Sequence, residues 1–430
     1  MLIHIKYYKK IREKEVNKVN FQDTLKNAKT TVKDCTDFAV QGITNICRLY
    51  GPRPCGEESE KNAQLKMMEE IELYADEARR ETFKVNPDAF MSFVPIAGTC
   101  CMGAGAINFL AAHKKSKAAL GSLALMGAGV AGLVGEFLLY KKVYDPFFKE
   151  KESGNVIAVK KATGETKRRI ILSGHSDSAP EWTYTYKFGS HGSFIVAGPA
   201  IAGLLYTGAT AVTALAGKKK AAKKMALGQL AFLPAYTALY KFTNNKRYVE
   251  GAIDNLTGCY IASAVMKYLK ENDISFENTE VVALLTGGEE AGIRGSKAFF
   301  DAHPEYQNDG VETVFISIDT IRDEEFLSIY NKDMTGMVEN DPRVCDLLKR
   351  AGEKFGVNIP VMPIPLGSTD AAAASQKGIP AAAVVAMDPA PAKYYHTRLD
   401  TPDIIIPECI EKVMNITLEA LFDFDENGIN

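Results

Sequence analysis

The sequence predicts an α/β fold, in which a mostly parallel, twisted sheet has helices on both faces and two apolar helical hairpins are added to it. Three observations predict this architecture. Strand-like and helix-like segments alternate from Asn155 onward, polar side chains directly follow several strands, and charged residues almost vanish from parts of the first 240 residues. Strand–helix alternation is typical of an open, mostly parallel sheet covered by helices.

The composition excludes several classes of protein. The chain has 430 residues, with 51 lysines and arginines against 53 aspartates and glutamates, which gives a formal charge of −2. A charge so close to zero does not favour binding to nucleic acid, and a hydrophobic share of 46% excludes wholesale disorder. The eight cysteines include no Cys-x-x-Cys pair, so a disulfide scaffold, a zinc ribbon and a thioredoxin-like motif are excluded.

Residues 1–88 are predicted to form an N-terminal helical segment that packs on the α/β domain. The first ten residues lack the apolar core of a secretory signal peptide. From about residue 20 to 84 the pattern is helical, because Leu65, Met68 and Ile71 recur at the spacing of one buried helix face.

Two apolar segments, residues 89–140 and 188–240, are predicted to form helical hairpins. Their uncharged or nearly uncharged runs cover residues 89–112, 118–140, 188–217 and 225–240. A helix needs about 20 apolar residues to cross a bilayer, so three runs are long enough and the last is short. The alternative is a pair of buried hairpins in a soluble protein, but soluble helices alternate apolar and polar faces and these runs do not. We therefore expect the hairpins to contact a lipid bilayer.

Lysines in the hairpins bear on which side of the membrane holds the α/β domain. The tips of the two hairpins carry Lys114, Lys115 and Lys117, and Lys218, Lys219, Lys220, Lys223 and Lys224. Short lysine-rich loops favour the cytoplasm, which places the domain outside. Basic residues at the domain end of the same segments, and cysteines without a pairing pattern, favour the opposite side. The lysine-rich tips are given more weight than the opposing signals, so we expect a bacterial cell-membrane protein with an extracytoplasmic domain.

Residues 141–187 and 241–430 are predicted to form the α/β domain. Residues 156–159, a turn at Thr163-Gly164 and residues 169–173 have the pattern of a β-hairpin. Further predicted strands cover residues 280–286, 311–318, 326–330 and 381–386, and predicted helices cover residues 255–269, 291–302, 341–355 and 405–423.

Imidazoles and carboxylates follow these strands or open the helix after the second hairpin. The residues at these positions are His175, Asp177, Asp254, Glu289, Glu290, Asp319 and His396. Each alone has an ordinary explanation, since acids favour the first turn of a helix and Asp254 could be a helix cap. Open α/β sheets, however, bind ligands at the carboxyl ends of their strands, so we expect these side chains to lie close together.

The residue types indicate a metal centre. Two histidines and three carboxylates, without cysteine, suit a pair of divalent first-row metal ions, best of all zinc. Polar residues behind metal ligands commonly fix the orientation of those ligands. We expect Asp177 to orient His175 in this way and Asp400 to orient His396.

An ordered set of motifs resembles the dizinc exopeptidases, which include bacterial leucyl aminopeptidases, aminopeptidase Y and, more distantly, glutamate carboxypeptidase. The matching segments are residues 174–177, 251–258, 288–296, 318–319 and 395–401, with a weaker likeness at residues 51–56. The resemblance implies the zinc-exopeptidase (phosphorylase/hydrolase-like) fold. The two apolar hairpins depart from the family's pattern. So does Gly367-Ser368-Thr369-Asp370, where relatives often carry Ser-Asp-His.

The resemblance also implies a role for each residue. Asp254 would bridge two metal ions and join Asn255 through a cis peptide bond. His175 and Asp319 would complete the ligands of one ion, and Glu290 and His396 those of the other. Glu289 would be the general base, and Asp177, which orients His175, is counted with it as a catalytic residue. The remaining candidates, placed behind the ligands or near the substrate, are Asn255, Asp370, Tyr395 and Asp400.

The implied function is that of a membrane-anchored, zinc-dependent exopeptidase, most simply an aminopeptidase that hydrolyses N-terminal residues of peptides. Two other functions stay open. A single-zinc glutaminyl cyclase on the same fold would not need His175 and Asp319 as ligands, and a binding or scaffold protein should lack one or more ligands. Every ligand position is filled here, which favours the two-metal hydrolase.

Overall fold

The computed structural model describes residues 20–114 and 116–429. The first 19 residues of the predicted N-terminal segment, including the part analysed for a signal peptide, therefore lie outside the described residues. So does Lys115, one of the lysines at the tip of the first hairpin.

The α/β domain and the segment before it contain the strands and most helices. The strands are β1 (Glu77–Val85), β2 (Lys151–Lys160), β3 (Arg168–His175), β4 (Pro180–Trp182), β5 (Thr243–Tyr248), β6 (Thr279–Thr286), β7 (Glu312–Ile321), β8 (Leu327–Asp333), β9 (Val338–Glu339), β10 (Val361–Pro363) and β11 (Ala381–Ala386). The α-helices are α1 (Phe21–Asn27), α2 (Val32–Tyr50), α3 (Glu58–Ile71), α4 (Phe93–His113), α5 (Ala119–Leu133), α6 (Thr183–Phe188), α7 (Gly192–Leu215), α8 (Lys219–Gly228), α9 (Leu233–Ala238), α10 (Thr257–Glu271), α11 (Arg294–Ala302), α12 (Glu305–Asn308), α13 (Pro342–Lys354), α14 (Ala371–Gln376) and α15 (Pro407–Asn427).

The main sheet is mixed, with a parallel centre. Its strand order is β1-β2-β6-β3-β7-β11-β8-β10, and β9 pairs with β8. Strands β6, β3, β7 and β11 are mutually parallel, whereas β1, β2 and β8 pair antiparallel with their neighbours toward the centre. One apolar layer packs α2, α10, α13 and α15 on one face of the sheet, and a second packs α11 and α14 on the other. The predicted α/β class with helices on both faces is confirmed.

Two local predictions were wrong. The predicted hairpin of residues 156–159 and 169–173 does not form, because β6 lies between β2 and β3 and pairs with both. The helical pattern predicted for residues 20 to 84 fails over β1, which pairs antiparallel with β2 along the edge of the sheet. In both cases the hydrogen-bond partner is remote in sequence, so a local pattern could not identify it.

The two apolar segments form one helical bundle beside the domain. Among the described residues, three stretches are long and apolar enough to cross a membrane by length and composition: Phe90–His113, Ser116–Leu138 and Thr183–Leu215. The fourth predicted run, residues 225–240, is shorter, as expected, and covers the end of α8, a 3₁₀ turn and α9. Small side chains of α4, α5, α7 and α8 pack together inside the bundle.

Each apolar segment leaves the domain and returns to it at nearly the same place. In the first, Phe90 and Tyr140 lie at the two ends and their ring centroids are 4.9 Å apart. In the second, β4 pairs antiparallel with β5, and the amide of Thr183 donates to the carbonyl of Phe242 at 3.0 Å. The chain therefore traverses the bundle an even number of times, and residues 219–241 form its last return.

Candidate metal centre

The predicted site residues meet at the carboxyl edge of the parallel strands. His175 is the last residue of β3, Glu289 and Glu290 lie in the turn after β6, and Asp319 lies near the end of β7. The other two arrive from loops: Asp254 precedes α10, and His396 follows the loop after β11. Adjacent parallel strands bring their carboxyl ends to one edge, and this explains how residues so distant in sequence become neighbours.

Asp254 lies at the middle of the cluster. Its Oδ1 is 3.1 Å from His175 Nε2, and its Oδ2 is 3.0 Å from His396 Nε2. Asp319 completes a trio with His175 and Asp254, and Glu290 completes a second trio with Asp254 and His396. Within each trio the potential ligand atoms all lie within 4.8 Å of one another. The two trios therefore share one carboxylate and have one histidine and one further acid each.

Buried polar contacts hold Asp254 in place. The peptide bond between Asp254 and Asn255 is cis, in agreement with the expectation from the resemblance. The Asn255 side chain donates to the carbonyl of Ile318 at 2.9 Å, which ties this loop to β7. The carboxylate of Asp400 accepts from the amides of Ile253 (2.7 Å) and Asp254 (3.1 Å). The predicted contact of Asp400 with His396 does not form among the described residues, because His396 Nδ1 has no hydrogen-bond partner and Asp400 supports the backbone of Asp254 instead.

Asp177 supports the turn that carries the two glutamates. Its two oxygens accept separately from the amides of Glu289 and Glu290, both at 3.1 Å. Its Oδ1 also lies 3.5 Å from His175 Nδ1, on the side of the ring that faces away from Asp254. Glu289 Oε2 is 3.9 Å from His175 Nε2, so Glu289 borders the cluster without joining either of the two trios centred on Asp254.

The other predicted residues surround the cluster. The Tyr395 ring stacks on the His396 ring with centroids 4.0 Å apart. Asp370 is buried and accepts from the Thr286 hydroxyl at 2.5 Å, so it lies behind the site and does not line its opening.

Two aromatic residues near the site were not predicted, and both come from the ends of the apolar segments. Trp182 stands edge-on to His396 with ring centroids 4.7 Å apart, and its amide donates to the His396 carbonyl at 2.7 Å. Tyr140 is buried, and the negative charges of Glu289 and Glu290 act together with burial to raise its pKa well above the ordinary value. Their positions depend on how the bundle docks on the domain, which no local sequence signal reveals.

Burial and mutual charge set the protonation of the cluster. Burial raises the pKa of Asp319 to about 7 and that of Glu289 well above its ordinary value. Burial alone would lower the pKa of His396, but the charge of Glu290 and hydrogen bonds with Asp254 and Glu290 raise it to about 10. Burial would likewise raise the pKa of Asp254, but hydrogen bonds with both histidines lower it. Without metal, protons on these side chains therefore offset part of the negative charge of the carboxylates at neutral pH. Bound cations could take the place of those protons.

The donor set fits divalent metal ions. Imidazole nitrogens and carboxylate oxygens, without a thiolate, are ligands that zinc accepts, and each trio leaves room for a further ligand. Glu290 Oε1 is buried and lies 3.2 Å from His396 Nε2, the same nitrogen that lies 3.0 Å from Asp254 Oδ2. One imidazole N–H cannot satisfy two buried carboxylates fully, and coordination of a cation would satisfy both.

Known proteins resemble this chain in sequence and in fold. Residues 235–421 match the model of peptidase family M28. A zinc aminopeptidase from Bacillus subtilis superposes with a TM-score of 0.54 at 14% identity, over 90% of this chain and 95% of that one. An aminopeptidase from Aneurinibacillus sp. strain AM-1 gives 0.55 at 15% identity, over 91% and 95%.

A glutaminyl cyclase from Fimbriiglobus ruber shares the same fold, with a TM-score of 0.51 at 15% identity, over 90% of this chain and 94% of that one. At these identities the structural likeness shows the fold, and the family match shows the enzyme class. Residues 235–421, somewhat less than half of the chain, match peptidase family M28, and the chain has the fold of the zinc aminopeptidases. Together these two findings bear out the predicted dizinc-exopeptidase family and the predicted zinc-dependent peptidase.

Proposed function

We propose that this protein is a membrane-anchored aminopeptidase that uses two zinc ions and Glu289 as general base. One observation carries the proposal: the two oxygens of Asp254 face different histidines, at 3.1 Å and 3.0 Å. A carboxylate placed in this way can bridge two cations. His175 and Asp319 would complete the protein ligands of the first ion, and Glu290 and His396 those of the second.

The chain's own residues divide the remaining work. When bound, a pair of zinc ions would polarise the scissile carbonyl and lower the pKa of a water molecule. Glu289, next to the cluster but not in either trio, would accept the proton of the attacking water and return it to the leaving amine. Such proton transfer typically contributes about 10²–10⁴-fold to the rate. Asp177 would keep Glu289 and Glu290 at a fixed separation from His175, since it holds both of their amides.

The bundle supports the membrane anchor. Large apolar side chains on its outer surface are exposed, among them Phe194 (66%) and Leu205 (69%). Buried hairpins of a soluble protein would cover such side chains. Because the chain returns to the domain after residue 241, the segment 219–241 would complete a fourth crossing. The lysine-rich tips would then face the cytoplasm and the α/β domain the outside.

The proposal is tested by replacing the base. In Glu289→Gln we expect two zinc ions per chain, as in the wild type, and a loss of turnover of about 10²–10⁴-fold. Zinc is measured by atomic emission, and hydrolysis on peptides with free and blocked N-termini. Glu58→Gln, at a strongly exposed acid on α3, is the control and should keep full activity. Full activity of Glu289→Gln would exclude the base assignment, and cleavage of blocked peptides from the other end would make the enzyme a carboxypeptidase.

The second candidate is a glutaminyl cyclase, because such enzymes share the fold. It predicts one zinc ion per chain and release of ammonia from peptides that begin with glutamine. The aminopeptidase predicts two ions and release of the N-terminal residue from the same peptides. If neither reaction nor metal is found, the chain is a binding or scaffold protein.

A further inference from the structure

The turn that carries Glu289 and Glu290 is closed by the first residue of α11. The amide of Arg294 donates to the carbonyl of Gly288 at 2.9 Å. The amides of Gly292 and Ile293 both donate to the carbonyl of Glu289, at 2.8 Å and 2.7 Å. The position of the two glutamates therefore depends on where the start of α11 is held.

The Arg294 side chain is held by the end of the first hairpin. It is 3% exposed, and its Nη2 lies 3.0 Å from Asp145 Oδ1 and 3.6 Å from Glu136 Oε2. Its Nε donates back to the carbonyl of Ala291, inside the same turn. We call Glu136, Asp145 and Arg294 the Arg294 cluster.

Glu136 occupies an unusual place for an acid. It is fully buried and lies in a π-helical turn, residues 134–138, that ends the second helix of the apolar hairpin. Its Oε1 accepts from the amide of Tyr144 at 2.6 Å, and this contact folds the chain back toward the domain. It is also the only charged residue in the otherwise uncharged run of residues 118–140. An acid retained in such a run, paired with a buried arginine, indicates a specific function.

A second set of contacts joins the same two elements one helical turn further along. Lys297 Nζ donates to the carbonyl of Tyr140 at 2.7 Å. Phe90, which packs on Tyr140, lies against the turn itself: a Cβ atom added to Gly292 would come within 2.9 Å of its ring. The glutamate turn thus has the hairpin on one side and the metal cluster on the other.

The Arg294 cluster is a poor device for stability alone. Bringing an arginine and a fully buried glutamate out of water costs several kcal/mol per ion in typical proteins, and an apolar replacement is often as stable. Arg294 Nη1 also has no hydrogen-bond partner among the described residues. What the cluster supplies is a fixed geometry between the hairpin and the turn.

We propose that the Arg294 cluster is a positioning device, through which the docked apolar hairpin sets the placement of Glu289 and Glu290 at the metal centre. The inference rests on the proposed function of these two glutamates. It means that the bundle is part of the catalytic apparatus as well as the anchor. Correct seating of the first hairpin is then a requirement for turnover.

The test compares two buried arginines. Arg294→Met removes the cluster at the carboxyl edge of the sheet. Arg169→Met is the matched control, because Arg169 is also nearly buried and pairs with two acids, Glu280 (2.6 Å) and Asp309 (2.9 Å), but at the opposite edge of the sheet. Both variants are prepared as the full chain in detergent, and each is checked for folding by its thermal transition.

Three measurements separate positioning from a loss of stability. For Arg294→Met we expect kcat to fall about 10–100-fold, as is common for residues behind metal ligands, with KM changed less than threefold. Hydrogen exchange at the amides of residues 292–294 should accelerate at least tenfold, and zinc should bind more weakly. Arg169→Met should leave all three unchanged. Wild-type values of all three in a folded Arg294→Met protein would overturn the proposal.

Two further variants keep the test informative. If Arg294→Met does not fold, Asp145→Asn, which lies outside the apolar runs, should give smaller shifts of the same sign. Glu136→Gln should accelerate exchange at the same amides. Glu136→Asp, which keeps the carboxylate, should have a higher kcat than Glu136→Gln. Exchange is measured without substrate, so it tests the positioning contact even if Glu289 proves not to be the base. Unchanged exchange in Asp145→Asn and Glu136→Gln would count against the proposal.

Discussion

The α/β domain and the helical bundle sort their side chains in opposite ways. The domain buries large apolar residues such as Phe315 and Leu347 on the two faces of its sheet. The bundle packs small residues such as Ala211 and Ala226 inside and directs Phe194 and Leu205 outward. This difference is the one expected for a domain in water and for the bundle that we propose to lie in a membrane.

The buried polar groups of the two regions also differ. In the domain, five ionisable side chains converge on one point, and this arrangement fits cations. In the bundle, neutral amides meet: Asn108 donates to Gln229 at 2.9 Å and to the carbonyl of Thr207 at 2.8 Å. Converging charges are typical of a reactive site, whereas paired amides are typical of contacts between helices in lipid.

The largest expected effect is at the centre of the domain's polar cluster. Asp254→Asn removes the carboxylate shared by both trios, so we expect loss of at least one zinc ion. Loss of a residue behind a metal ligand usually lowers activity about 10–100-fold, and we expect a larger loss here. Metal content and hydrolysis are measured together. Two tightly bound ions in Asp254→Asn would show that Asp254 does not bridge.

An intermediate effect is expected on the outer surface of the bundle. Leu205 and Leu73 are both 69% exposed, but Leu205 lies in α7 and Leu73 in the turn after α3. Arginine at the centre of a membrane-spanning helix costs about 2.5–3.5 kcal/mol on insertion scales. Leu205→Arg should reduce the membrane-bound fraction after carbonate extraction, and Leu73→Arg should not. Equal recovery of the two variants in the membrane would mean that α7 does not face lipid.

The smallest effect is expected for the amide inside the bundle. Asn108→Ala should lower the stability in detergent by about 0.6 kcal/mol, the average for hydrogen bonds between membrane helices. Asn155 in β2 is the matched residue of the domain, since it donates to the carbonyl of Gly295 and accepts from the amide of Gly287. Asn155→Ala leaves buried partners unsatisfied and should cost about 1–3 kcal/mol. A larger loss from Asn108→Ala would reverse this order.

The sequence predicts that the side chains of the metal cluster lie together because the strands before them are recognisable. His175 ends an apolar strand, Asp319 lies near the end of another, and Glu290 lies in the short turn after a third. Parallel strands bring such positions to one edge of the sheet. The order of strands has no local signal. The residues of β2 and β3 have the pattern of a hairpin, yet β6, more than a hundred residues later, separates them.

Residues that act across the boundary between bundle and domain escaped prediction for the same reason. Tyr140 and Trp182 have no motif, and they approach the site only because the apolar segments begin and end beside it. Asp400 was recognised, but its partner was wrong, since spacing in sequence cannot tell a backbone amide from an imidazole.

The short antiparallel pairing of β4 with β5 has a practical consequence. It joins the two ends of the second apolar segment, so the α/β domain is closed there without the rest of that segment. The residues between β4 and β5 could be replaced by a tight turn, and we expect Trp182 to keep its contact with His396. The first segment offers no such cut, because its end contacts the start of α11: Glu136 lies 3.6 Å from Arg294, and the carbonyl of Tyr140 accepts from Lys297. A shortened derivative would need to keep these contacts.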